Sequence, residues 1–200
     1  MFEILFLILT LTAQLALGFI VYTRNRKSDV NRAVGALAVS MALWSIATYF
    51  SLHPVFFEQI FWVRTVLSMA ALLCMFVLVS FIVFPNKRAS QYPQIKKFIV
   101  PYALFVMLWV QTPFVFSGLQ TGSNGAVTPV VAPGIVLFTA LVVGYIAAAI
   151  ILLVRRYRKA DRAMKNQIRP VLLGVGLTFI LLLLTNFVLV SFLENTTLLS

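Results

Sequence analysis

Residues 155–170 read RRYRKADRAMKNQIRP. Seven of these sixteen residues are Arg or Lys, and the runs on either side, 133–154 and 170–193, carry no Asp, Glu, Lys or Arg. So dense a positive cluster suits nucleic acid, an acidic partner or a membrane surface. The rest of the chain decides between them. Apolar residues make up 62% of the 200 and charged residues 10%, with a mean hydropathy of +1.01. Soluble domains average about 45–50% apolar and about 25% charged. One aqueous core cannot hide this much apolar surface, so the sequence is that of an integral membrane protein.

Working outward from the cluster, six charge-free runs appear: 4–22, 33–52, 65–84, 98–116, 133–154 and 170–193. Each approaches the ~20 residues that cross a bilayer as a helix. None alternates in polarity as barrel strands do. The expected fold is all-α: one polytopic bundle of six transmembrane helices over residues 1–200, the third starting near Gln59 and so containing Arg64.

The gaps hold the charge. Arg24, Arg26, Lys27 and Arg32 lie in the first, Lys87, Arg88, Lys96 and Lys97 in the third, and seven more in the fifth, together 15 of the 16 basic residues. In a six-helix weave these gaps share one side, and Lys and Arg in short loops mark the cytoplasm. Loops 23–32, 85–97 and 155–169 are therefore expected inside, and the N-terminus and Ser200 outside. The cluster is then a topology signal and needs no nucleic acid. Its spacing of three and four would also form one basic stripe if helix 5 runs on. Such a stripe suits anionic lipid headgroups or a cytoplasmic signalling domain. The first run has no basic segment before it and reads as a membrane helix, not a cleaved signal.

The spans exclude much chemistry. They carry no Lys for a Schiff base and no carboxylate for proton or ion coupling. The one histidine, His53, falls in an outer loop before Pro54, and Cys74 is alone. Nothing calls for a cofactor, a metal or a catalytic role. Arg64 is the exception. Its guanidinium can return to the interface over its own stem, or it can point into the bundle toward an acidic ligand or an internal partner. Trp44, Trp62, Trp109 and Asn186 lie at the same end. They read as an interfacial belt or, with Arg64, as a ligand pocket opening outward. The stretch 117–132, rich in Gly, Ser, Thr and Pro, reads as a flexible outer loop.

Asn31 opening NRAVGALAVSMALWSIATYF, with Trp44-Ser45 inside it, FWVR at the start of helix 3, Phe84-Pro85 at its end and the RRYRKA…KNQIR loop resemble the N-terminal seven-helix sensor region of bacterial histidine kinases. The resemblance implies a non-enzymatic membrane input module with a signalling output after it. This sequence departs from it in having six spans, so that it ends at Ser200 on the outer side, either as a piece of a longer receptor or as a stand-alone relative. A homodimer is also expected. Two other readings stay open: a small channel or carrier for a neutral solute, and a structural membrane subunit.

Overall fold

A computed structural model describes residues 2–84, 89–121, 127–162, 164–166, 168–169 and 173–174. Four helices in it are long and apolar enough to cross a membrane: α1 (Phe2–Arg24), α2 (Asp29–Leu52), α3 (Gln59–Val83) and α5 (Ile135–Lys159). α1 and α2 cover the runs expected there, α3 and α5 cover theirs to within two residues, and α3 starts at Gln59 with Arg64 inside it. Nearly all of the expected span 170–193, with Asn186, lies outside the described residues, as do Lys87 and Arg88.

The expected span 98–116 takes another form. Helical residues begin at Pro93, widen into a π-helical segment over Ile95–Ile99, and continue as α4 (Val100–Val110). Pro101 explains the widening. It has no N–H to donate and its ring crowds the carbonyl four residues back, a conflict that a wider turn relieves. Pro113 explains the end, because the residue before a proline is driven from helical geometry. The Thr112 N–H and hydroxyl both donate to Trp109 O, at 3.0 and 2.6 Å, and the helix stops.

Beyond α4 the chain turns to β structure, where a flexible loop was expected over 117–132. Residues Phe116–Thr121 form β1 and Val127–Val131 form β2, an antiparallel pair with an irregularity between Phe116 and Gly118. Ser117 is the extra residue, a β-bulge. Pro129 is tolerated because both strands of a two-stranded sheet are edges.

By its internal contacts the chain divides into two units, Met1–Ile150 and Ile151–Ser200. The first has its core around α3. Ala71, Cys74, Met75 and Leu78 pack with Ala103, Val106 and Val110 of α4, and with Leu141, Tyr145 and Ala149 of α5. Tyr145 donates its hydroxyl to Ile99 O at 2.6 Å, where the π segment is about to hand over to α4. α2 buries small residues, among them Ala33, Gly35, Ala38 and Ser40. α1 buries Gly18 alone among its described residues.

Polar ties hold α1 to α2 at three levels. Asn31 Nδ2 donates to Val21 O at 2.8 Å, Gln14 Nε2 to Ser45 Oγ at 3.3 Å, and His53 Nε2 lies 3.1 Å from Glu3 Oε2. Between the ties the backbones come close: a Cβ on Gly18 would lie 2.6 Å from Ala38 Cβ. Ser28 caps α2 by accepting the Asn31 N–H. In the turn between α2 and α3, Phe56 has φ +68° and the Phe57 N–H donates to Val55 O at 2.9 Å. This is a γ-turn of the rare left-handed kind.

In the second unit the basic stripe is interrupted. α5 ends at Lys159, and Asp161 starts a new helical stretch by accepting the Met164 N–H at 2.9 Å. A side-chain carboxylate there satisfies a free N–H at a helix start, which breaks the continuous helix that the stripe required. Lys165 Nζ sits 5.9 Å from the centre of the Tyr157 ring.

Candidate functional site

The residues of the candidate site are set by α3 and by the end of α4. Arg64 and Ser68 are four apart on α3 and so share a face. The C-terminal turn of α4 leaves carbonyls with no partner in the helix, and the negative end of its dipole favours a cation nearby. Arg64 meets both needs. Its Nη1 donates to Gln111 O at 3.2 Å and its Nη2 to Phe116 O at 2.6 Å. The planar guanidinium thereby joins α3, the end of α4 and the first residue of β1, using the fork geometry that lysine lacks.

Ser68 completes the join. It is buried, donates to Met107 O or Arg64 O (3.0 and 3.1 Å), and accepts the Gln111 Nε2 at 3.0 Å. Gln111 thus gives its carbonyl to Arg64 and its amide to Ser68. Arg64 Nε is buried and has no hydrogen-bond partner among the described residues. The partners of the guanidinium among the described residues are backbone carbonyls at the end of α4 and the start of β1.

Trp109 belongs to the same end of α4. Its indole donates to Gly134 O at 3.1 Å and stacks on Phe114 with ring centres 5.5 Å apart. Gly134 N–H in turn donates to Phe114 O at 2.9 Å. A side chain at 134 would collide with Phe114 O and press on the indole, so glycine is needed for this approach. The Ala132 N–H donates to Val115 O at 2.9 Å and closes the base of the hairpin.

Arg64 and Trp109 each hold the stretch that follows α4, Arg64 through Gln111 O and Phe116 O and Trp109 through Phe114 and Gly134 O. Trp62 does not. Two residues from Arg64 on a helix is about 200° of rotation. Trp62 instead donates to Val55 O at 3.2 Å and packs on Phe50 with ring centres 4.6 Å apart. Trp44 stands 39% exposed on α2, as an interfacial aromatic does. Ser68, Gln111 and the Phe116 carbonyl join Arg64 here and lie outside the site residues expected from the sequence. The spacing of Ser68 from Arg64 was the available signal, whereas the carbonyl had none. Among the described residues no group of His, Cys, Asp and Glu could hold a metal ion.

A family model described as the N-terminal 7TM region of histidine kinase matches residues 6–198. Comparison with curated proteins and with solved structures gives no match. The matched region is the membrane sensor part of such kinases and not their catalytic part, and apolar helices of membrane-spanning length are what the structure contains. With nearly its whole length covered, the chain belongs to the family of N-terminal 7TM sensor regions of histidine kinases.

Proposed function

We propose that this chain is the signal-input module of a histidine-kinase receptor, that its ligand is a small external or membrane-borne molecule bearing a carboxylate or phosphate, and that the ligand acts at Arg64. The single observation carrying this is the state of that guanidinium. It is partly buried, is held by two neutral carbonyls, and has a buried Nε–H with no partner among the described residues. An anion forms stronger, charge-assisted hydrogen bonds than a carbonyl does. A ligand anion competing for Arg64 would release Phe116 and the hairpin from α3 and α4. A ligand shifts an equilibrium only through such a difference in its contacts with the two states. The change would pass along α4 and α5 toward a cytoplasmic output. The orientation proposed with it places loops 23–32, 85–97 and 155–169 in the cytoplasm and the hairpin outside, on the strength of the 15 basic residues in those gaps.

The test is a thermal-shift screen of carboxylates and phosphates on purified protein. Hits are then titrated against Arg64→Lys and Trp109→Phe. Lysine keeps the charge but loses the fork, so affinity should fall about tenfold or more. Unchanged affinity in both variants removes this site from the account.

A further inference from the structure

A groove of about 540 Å³ runs between α1 and α2, well away from Arg64. Its floor is Gly18 and Gly35, its walls include Phe19 and Val39, and Tyr22 and Arg32 stand at the end nearest the α1–α2 turn. The two glycines are what open it. At Gly18 there is no room for a Cβ, and at Gly35 one would touch Tyr22 at 3.4 Å. The helices approach closely there, and the larger side chains on either side are left standing apart.

The groove is apolar along its length and basic at one end. Arg24, Arg26, Lys27 and Arg32 all fall within the nine residues 24–32, which carry one carboxylate, Asp29. Arg32 Nε donates to Arg26 O at 2.8 Å, which fixes the base of the side chain. Its Nη1 forms a long ion pair with Asp29 Oδ1 at 3.8 Å, and the side chain stays 60% exposed. Arg26 Cζ lies over the Tyr22 ring, 5.9 Å from its centre. At membrane depth such a groove is filled by acyl chain or by protein, since no water enters. A net positive end at headgroup level favours a lipid whose headgroup is negative.

We propose that this groove is a binding site for one anionic phospholipid, an acyl chain lying along Gly18 and Gly35 and the phosphate held by Arg32 with Arg26. The proposal rests on the orientation proposed for the chain only for which leaflet supplies the lipid. Site and orientation therefore fail separately, the first by lipid binding and the second by labelling.

Native mass spectrometry of the full chain in detergent, with phosphatidylglycerol or phosphatidylcholine added at equal concentration, tests it. One phosphatidylglycerol should be retained at least fivefold better than phosphatidylcholine. Arg32→Gln should abolish that preference. Ala36→Phe, which fills the groove from a half-buried position, should reduce retention of both lipids. Lys96→Gln, which removes an exposed charge elsewhere, should leave the preference intact. The proposal is overturned if Lys96→Gln acts like Arg32→Gln, because surface charge alone would then suffice. It is overturned equally if Ala36→Phe changes nothing. In a Cys74→Ala background, Val39→Cys gives a further reading. A disulfide between two copies would assign the groove to a second chain. A cross-link to a cysteine placed in 170–193 would assign it to the chain's own last apolar run. Either result overturns the proposal, and a monomer without a cross-link supports it.

Discussion

α1 and α3 are nearly equal in length, 23 and 25 residues, and both are apolar throughout most of their course. Yet α3 buries seven residues and α1 buries one. Apolarity does not separate them, because lipid tails welcome leucine as readily as a protein interior does. The buried residues of α3 are instead rich in small or weakly polar side chains: Ser68, Ala71, Cys74 and Ser80. On α1 the buried residue is a glycine, while Phe2, Phe6, Leu9 and Phe19 are more than 60% exposed. The packed face of α3 thus mixes small and weakly polar side chains with Met75, Leu78 and Val83, while the exposed face of α1 carries bulk.

The comparison can be broken most sharply at Arg64. Arg64→Met should leave the Gln111 and Phe116 carbonyls without their charged donor. At about 1.5–3 kcal/mol for each hydrogen bond to a charged group, less the cost of burying that charge, the loss should be roughly 2–4 kcal/mol. Thermal unfolding in detergent measures it, and no change would mean that the guanidinium is not a fastener. Gly18→Leu should come next. It forces α1 and α2 apart where a Cβ already has no room, at about 1–3 kcal/mol. The same unfolding assay, with cross-linking between Gln14→Cys and Ser45→Cys as a local reading, checks it.

Ser68→Ala should cost about 1 kcal/mol, since interhelical hydrogen bonds in membranes are modest, and Gln111→Ala added to it should cost less than the sum of the two alone. Leu9→Ala, on the exposed face of α1, should change stability by less than about 0.5 kcal/mol. A loss comparable to that of a core residue would show that this face is packed against protein.

These differences also show what the sequence could carry. Charge-free runs of bilayer length were legible, and so was the start of α3 at Gln59, because length and charge are local properties. Arg64 stood out for the same reason, as the one basic residue outside the three gaps. Its partners were hidden, since backbone carbonyls leave no trace in a sequence. The hairpin was read as a flexible loop on its Gly, Ser, Thr and Pro content. Valines 127, 130 and 131 and the Asn124-Gly125 pair, a strong hairpin signal, pointed the other way. The early end of α4 was written in Pro113, but the π segment needs Pro101 together with its packing against Tyr145. The groove depends on where two glycines from different helices meet, a relation between elements that neither element reveals alone.

The orientation proposed above puts the Arg64 end of the bundle outside and the α1–α2 turn in the cytoplasm. Single cysteines at Ser117, on the hairpin, and at Asn25, in the turn, in a Cys74→Ala background, test it with a membrane-impermeant maleimide. Ser117→Cys should label in intact cells and Asn25→Cys only after permeabilisation. The reverse pattern, or labelling of both from outside, would contradict the orientation and with it an external ligand reaching Arg64.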